Sequence, residues 1–215
     1  MVFASTERDD ARMPDVSIGD DGVARCSWEY PAEYRWYHDD EWGRPVVDDG
    51  RIYEKLCLEG FQSGLSWLTI LRKRENFRRA FAGFDIEAVA GFDERDLGRL
   101  LGDAGIVRNR GKIEATIANA RAALELRQSG GSLAALIWQY EPVRTRPPKK
   151  FSELPSSTPE STALSKDLRR RGFRFVGPTT VYAAMQALGV VNDHLAGCAS
   201  GALADAERAA LLRPH

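Results

Sequence analysis

Apolar residues recur with the 3.6-residue period of an amphipathic helix from about residue 48 onward, and no sustained two-residue alternation predicts a sheet. Residues suited to capping a helix precede several of these segments: Asp48 or Asp49, Asp93 and Ser132. Pro178 occupies a position typical of the first turn of a helix. The pattern therefore predicts an all-α domain of about seven to nine helices.

The ends of the chain and one internal segment lack this helical pattern. Residues 141–161 contain five prolines and several serines, which predicts a loop. We interpret residues 1–22 as an acidic, flexible leader, 23–202 as the helical domain and 203–215 as a C-terminal tail.

Composition narrows the class of protein. The 215 residues are 43% hydrophobic and 28% charged, which is typical of a globular domain with a substantial core. No apolar run is long enough to predict a membrane span, and the polar N-terminus lacks a secretory signal. Three cysteines are too few for a disulfide scaffold, so we expect a reducing, cytoplasmic location. The net charge of −1 neither requires nor excludes a nucleic-acid partner.

Two pairs of metal-binding residue types lie near opposite ends of the chain: Cys26 with His38, and His194 with Cys198. Four such side chains can form a closed, tetrahedral zinc site, which is structural rather than catalytic. The spacing of His194 and Cys198 lets both face one point from a single turn. The alternatives are a chance scatter of cysteines and histidines, and a disulfide between Cys26 and Cys198, which suits the cytosol poorly.

Residues 164–190 predict two helices joined by a hairpin. The first helix ends at Gly172, a short apolar segment follows, and Gly177-Pro178-Thr179 begins the second helix. Free backbone N–H groups at that second helix could hold a phosphate, as in a helix-hairpin-helix that binds the DNA backbone. The alternative is an ordinary helical turn beside a solvated charged face. Basic residues surround the hairpin: Lys166, Arg169, Arg170, Arg171 and Arg174.

An aromatic segment precedes an isolated carboxylate, Glu59, which stands among apolar neighbours beside Gly60 and Gly64. A carboxylate near aromatic faces suits a flat, cationic ligand that carries an amine. The alternative is that the aromatic residues form core and that Glu59 is exposed. The aromatic residues are Trp28, Tyr30, Tyr34, Trp36, Tyr37 and Trp42.

Eight short motifs occur in order between residues 25 and 198. They are Arg25-Cys26-x-Trp28, Tyr37-His38-Asp39-x-Glu41-Trp42-Gly43, Leu58-Glu59-Gly60-x-Gln62-x-Gly64-Leu65-Ser66-Trp67, Lys73-Arg74-Glu75-Asn76, Asp103-Ala104-Gly105-Ile106, Arg110-Gly111-Lys112-Ile113, Arg171-Gly172-Phe173-x-Phe175-Val176-Gly177 and Val191-Asn192-Asp193-His194-x3-Cys198. Together they closely resemble the type I DNA-3-methyladenine glycosylases, a family of the helix-hairpin-helix glycosylase superfamily.

This resemblance implies an all-α helix-hairpin-helix glycosylase fold in which one structural zinc ion joins the N- and C-terminal segments. The zinc ligands would be Cys26, His38, His194 and Cys198. The implied activity flips 3-methyladenine out of alkylated double-stranded DNA and hydrolyses its N-glycosidic bond, leaving an abasic site. We expect no membrane partner and a monomer, which is the default for an enzyme that must wrap a duplex.

The resemblance also assigns roles to individual residues. Glu59 would be the catalytic carboxylate, and Gly64 with Leu65 would press into the DNA beside the vacated base. Asp193 lies near the place of an aspartate that assists cleavage in the wider superfamily but that type I enzymes lack; we expect it to support His194 or to cap a helix. The base would contact Tyr37, Trp67, Trp28 and Tyr34, and DNA would contact Arg171, Gly172, Phe173, Gly177 and Thr179.

Two other classes of function remain to be weighed. A non-catalytic module that recognises damaged DNA would keep the basic hairpin, but it would not require Glu59 together with Trp67. A zinc hydrolase with a different substrate would need an open coordination position, and four protein ligands leave none.

Overall fold

The computed structural model describes residues 15–28, 31–143 and 146–214. Within these ranges the chain forms ten α-helices, two 3₁₀ helices (Ala82–Phe84 and Phe151–Glu153) and one two-stranded sheet. Strands β1 (Val16–Ile18) and β2 (Ala24–Cys26) pair antiparallel, with Val16 opposite Cys26. The helices are α1 (Ala32–Asp40), α2 (Asp49–Gln62), α3 (Trp67–Ala80), α4 (Ile86–Ala90), α5 (Glu94–Gly102), α6 (Arg110–Gln128), α7 (Leu133–Trp138), α8 (Pro159–Arg170), α9 (Pro178–Ala187) and α10 (Ala199–Ala210).

The predicted helix starts are confirmed. The Asp48 side chain accepts a hydrogen bond from the Arg51 amide at the start of α2, and Ser132 does the same for Ala135 in α7. Asp93 forms a reciprocal capping box with Asp96 at the start of α5. Pro178 is the first residue of α9, where its fixed φ and missing N–H cost nothing.

The structure corrects the prediction at both ends. Residues 16–18, assigned to a flexible leader, form β1; residues 1–14 lie outside the described residues. Residues 203–210, which were assigned to the C-terminal tail, are helical, because α10 continues to Ala210. The prediction that the chain has no sheet is also wrong. Each strand has only three residues, which is too short to show a clear alternation of apolar and polar positions.

Helix α2 lies at the centre of the molecule and packs against α3, α6, α7 and α9. Its inner face joins an aromatic cluster in which the Phe61 and Phe77 ring centroids are 4.5 Å apart. Because this helix is buried on several sides, the carboxylate of Glu59 near its C-terminal end is carried into the interior. Helix α10 packs on α1 and β2, which brings the two ends of the described chain together. No helix in the described ranges has the length and hydropathy needed to cross a membrane.

Candidate functional site

The four predicted metal ligands meet in one buried cluster. Their ligand atoms lie within 4.8 Å of one another. The Cys198 sulfur is 3.5 Å from Nδ1 of His194 and 3.7 Å from Nε2 of His38, and the Cys26 sulfur is 3.9 Å from Nδ1 of His194. These separations suit donors around one tetrahedral ion with bonds of about 2.0–2.3 Å. All the cysteines are unbridged, so the disulfide alternative is not formed.

Each histidine of the cluster turns its second ring nitrogen to an oxygen atom. Nδ1 of His38 lies 2.7 Å from Asp39, whose carboxylate also accepts from Arg25. Nε2 of His194 lies 3.1 Å from the carbonyl oxygen of Trp42. Such contacts fix the tautomer and orientation of a metal-binding imidazole. The arrangement therefore matches a prepared metal site.

Gly43 allows the close approach of His194. Its φ is +81°, and a Cβ added there would stand 2.9 Å from Nε2 of the imidazole. A larger residue would both strain the backbone and push the ring away from its carbonyl partner. The glycine of the His38–Gly43 motif thus has a direct geometric role.

Asp193 does not orient the His194 imidazole, because both ring nitrogens of that residue face other groups. Its buried carboxylate accepts hydrogen bonds from the Tyr182 hydroxyl and the Gln186 amide, both at 2.6 Å. These donors lie on α9. Asp193 therefore ties the segment after α9 back onto that helix, and the expected support of the ring falls to Trp42 instead.

Glu59 is buried, with 5% of its surface exposed, and the alternative of an exposed carboxylate is wrong. Burial raises the pKa of Glu59 above its ordinary value, and the charge of Lys55 partly opposes this shift. Burial and the negative charge of Glu59 both raise the pKa of Tyr34 and Tyr37. The carboxylate therefore lies within electrostatic reach of two tyrosines of α1.

The predicted base-contact residues form a connected aromatic wall. The ring centroids of Tyr37 and Trp67 are 5.3 Å apart, those of Tyr34 and Tyr37 are 6.3 Å apart, and those of Trp28 and Tyr34 are 5.8 Å apart. Trp28 also contacts the His38 ring at 4.9 Å, so the wall adjoins the metal cluster. The indole nitrogen of Trp67 is buried and has no hydrogen-bond partner among the described residues. An unpaired buried donor of this kind is available to a ligand.

A charged group behind this wall was not predicted. The Lys55 ammonium forms a 2.8 Å ion pair with Glu41, and the second oxygen of Glu41 contacts Arg74 at 2.6 Å. Lys55 also lies 3.5 Å from the Tyr37 hydroxyl. The sequence gave no signal that Lys55 is buried, because lysine side chains are normally exposed.

The hairpin between α8 and α9 is held by side chains of α6 and α8. The Asn119 side chain bonds both backbone polar groups of Arg174, and Ser165 donates to the Val176 carbonyl at 2.6 Å. Phe173 is buried, so its side chain anchors the hairpin in the core. Gly172 and Arg171 lie on the exposed side. Asn119 was missed because its partner is distant in the sequence.

The start of α9 presents donors beside a cation. Gly177 caps this helix without a side-chain hydrogen bond, and no carbonyl of the described residues accepts from the Thr179 amide. The Arg169 guanidinium lies 3.6 Å from the position that a Cβ would occupy at Gly177. Arg170 and Arg171 pair with Asp167 on the same helix turn. This arrangement can bind a phosphate.

Gly64 and Leu65 form an exposed turn between α2 and α3. Leu65 exposes 41% of its surface, an unusual position for a large apolar side chain. The Lys112 ammonium donates to the carbonyls of Phe61 and Ser63, which fixes the end of α2 beneath the turn. The turn that is predicted to press into the DNA is thus exposed, and Lys112 holds its base in place.

Comparison with known proteins gives one consistent family. The model of the methyladenine glycosylase family matches residues 28–201. The chain is 49% identical over 180 residues to DNA-3-methyladenine glycosylase 1 of Escherichia coli (strain K12), covering 82% of this chain and 96% of that relative.

Solved structures agree in fold. A crystal structure of 3-methyladenine DNA glycosylase I has 47% identity and a TM-score of 0.79, covering 81% of this chain and 98% of that one. A 3-methyladenine DNA glycosylase I from Staphylococcus aureus, described for its recognition of 3-methyladenine, has 36% identity and a TM-score of 0.76. It covers 80% of this chain and 92% of its own.

Proposed function

The chain belongs to the methyladenine glycosylase family, and from this we propose that it is a DNA-3-methyladenine glycosylase of base excision repair. It removes 3-methyladenine from alkylated double-stranded DNA by hydrolysing the N-glycosidic bond and leaves an abasic site. The target base lies inside the duplex, so the nucleotide is first rotated into a pocket. The observation that carries this proposal is the buried Glu59, whose charge acts on Tyr34 and on Tyr37, the tyrosine whose ring adjoins Trp67.

The pocket matches the chemistry of the damaged base. Methylation at N3 makes adenine cationic and therefore a good leaving group, so extrusion and positioning supply much of the rate. Glu59 accepts a hydrogen bond from the exocyclic amine and stabilises the positive charge of the base. Tyr37 and Trp67 stack on the base, while Trp28 and Tyr34 complete the aromatic wall. Water is the nucleophile.

DNA is bound by two features on the outside of this pocket. Leu65 and Gly64 fill the space that the rotated nucleotide leaves in the duplex. The hairpin binds the phosphate backbone through Arg171, Gly172, Gly177 and the Thr179 amide, and Phe173 holds it in place from the core. These contacts depend on phosphates and not on bases, so they act on any sequence.

We further propose that Cys26, His38, His194 and Cys198 hold one structural zinc ion. The donor set and its separations fit this ion, and the outer contacts to Asp39 and Trp42 fit the support that zinc-bound histidines usually have. Four protein ligands leave the ion no open position, so it supplies stability and no chemical step. We also propose that the enzyme works as a cytoplasmic monomer.

The test is release of free bases from methylated duplex DNA, separated by chromatography, for the wild type and for Glu59→Ala. Selective appearance of 3-methyladenine, strongly reduced in the variant, supports both the activity and the pocket. Absence of any released base from a folded wild type that still binds methylated duplex would instead support a non-catalytic damage-binding module.

A further inference from the structure

The Lys55 side chain places a cation directly against the aromatic pair of the pocket. Its ammonium lies 4.9 Å from the Tyr37 ring centroid and 5.0 Å from the Trp67 ring centroid. Only 6% of the residue is exposed. One buried charge therefore contacts both rings on which we place the damaged base.

Two acidic residues act on this charge: Glu41, which forms an ion pair with it, and Glu59, whose pKa it lowers. Glu41 binds both Lys55 and Arg74, so two cations share one carboxylate. Although burial opposes it, the charges of Lys55 and Arg74 lower the pKa of Glu41 to about 2, and the carboxylate stays ionised. With Glu59 included, the formal charges of these four side chains cancel, but the Lys55 ammonium is the charge that lies against both rings. A ring that already has one cation against it attracts a second cation less strongly, because both interact with the same π electrons.

We propose that Lys55 is a specificity-determining and positioning residue of the base pocket, because its ammonium on the Tyr37–Trp67 pair disfavours the cationic form of the bound base relative to the neutral form. The inference rests on the proposed function, since that function supplies a base that changes charge during the reaction. Lys55 acts through the two rings and need not touch the base.

The charge change follows from the bond that breaks. The electron pair of the C1′–N9 bond goes to the base, which leaves as neutral 3-methyladenine, and the positive charge passes to the sugar. Water then adds its oxygen to C1′ and releases a proton to solvent. A cation near the base is less unfavourable once the charge has moved to the sugar, so Lys55 assists the step by opposing the ground state more than the transition state.

The first test uses two small probes and needs no catalysis. Neutral 3-methyladenine and the permanent cation 3,9-dimethyladeninium are titrated at mildly alkaline pH, with tryptophan fluorescence as the readout. We expect Lys55→Met to bind the cation about tenfold more tightly than the wild type does, with little change for the neutral base. An equal change for both probes, or no change for either, overturns the proposal.

Matched variants separate charge from packing. Lys55→Arg keeps the cation and should retain the wild-type ratio of the two affinities. Arg78→Met removes a different cation, one that pairs with Glu54 and Glu75, and should also retain it. Lys55→Gln provides a second neutral variant if the methionine variant does not fold. A shifted ratio in Arg78→Met would show a general charge effect and overturn the role of Lys55.

The second test is single-turnover cleavage of methylated DNA. We expect Lys55→Met to cleave about tenfold more slowly while the enzyme concentration for half-maximal rate falls, because ground-state binding improves. A purely structural role would slow cleavage and raise that concentration instead. A wild type that releases no base overturns the proposed function, whereas the probe ratio still decides the role of Lys55; a wild type that binds neither probe overturns both.

Discussion

The Asn119 side chain on α6 satisfies both backbone polar groups of Arg174 in the hairpin: its oxygen accepts from the Arg174 amide at 2.7 Å, and its nitrogen donates to the Arg174 carbonyl at 3.1 Å. One buried side-chain amide thus forms the two hydrogen bonds that a neighbouring β-strand would form with the backbone of the loop. It links the proposed DNA-binding hairpin to the longest helix of the domain.

Asn119→Ala should loosen the hairpin. The loss leaves two backbone groups without their partner, and we expect the protein to be less stable by about 2 kcal/mol, with weaker DNA binding. Thermal unfolding and binding to an abasic duplex would measure the two effects. Unchanged DNA affinity in a destabilised variant would show that the hairpin does not depend on this contact.

Glu59→Gln should separate catalysis from binding. The amide has nearly the same shape but lacks the negative charge that stabilises positive charge as it passes from the base to the sugar, so base release should fall about 100-fold while duplex affinity changes little. Parallel measurements of release and of DNA binding provide the check. An equal loss of both would identify Glu59 as a structural residue.

The same residue gives an acid limit to activity. Burial raises the pKa of Glu59 above its ordinary value of 4.5, and the ionised form is the active one. Activity should therefore fall as the pH drops through this raised pKa, at a higher pH than for an exposed glutamate. A pH profile of single-turnover cleavage would show this limb, and Glu59→Gln should lack it.

Stability should show the opposite trend at this position. A carboxyl whose pKa is raised by folding costs stability while it is ionised, and the cost disappears as the pH falls through the raised pKa. At neutral pH Glu59→Gln should therefore melt at a higher temperature than the wild type, and this advantage should shrink in acid. A lower Tm at neutral pH would contradict the buried-charge interpretation.

Cys198→Ala should release the metal and weaken the fold. Loss of one of four ligands opens the proposed zinc site, whose binding energy contributes to folding. We expect a lower zinc content and a lower Tm, and a chelator should have the same effect on the wild type. Cys57→Ala is the control, because Cys57 is also buried but lies outside the cluster. Equal zinc in both variants would exclude this ligand.

Arg171→Ala should weaken binding to duplexes of every sequence. Loss of one phosphate contact is expected to reduce the slope of log affinity against log salt by about 1. Arg127→Ala, which removes an arginine that pairs with Glu87, should leave that slope unchanged. An effect restricted to one sequence would indicate a base contact instead.

The sequence predicted those parts of the molecule whose signals are local or rare. Caps such as Asp48 lie next to the helix that they start, and cysteine and histidine are scarce enough that four of them define a cluster. Helix α1 was missed because it is rich in polar and aromatic residues and begins after Pro31 without a side-chain cap. Helix α10 was missed because its apolar residues are alanines apart from Leu203, and such small side chains mark a buried face less clearly than leucine or isoleucine do.

Residues that act through distant partners were beyond prediction. Lys55 meets Glu41, which also binds Arg74 of α3, only in the folded chain, and Asn119 meets Arg174 in the same way. Contacts with these distant partners offset the free-energy cost of burying the polar groups, and the spacing of apolar residues does not reveal such contacts. The family resemblance predicted the residues of the base pocket, but only the structure showed the charged residues around it.

The metal cluster joins residues on β2 and α1 to residues after α9, with all the intervening helices between them. During synthesis Cys26 and His38 leave the ribosome long before His194 and Cys198 have been translated. The four donors can therefore meet only once residues 26–198 have all been translated. Any ion held there would be captured only after the helices between Cys26 and Cys198 have been translated, so metal content would report how many molecules have brought the two ends of this segment together correctly.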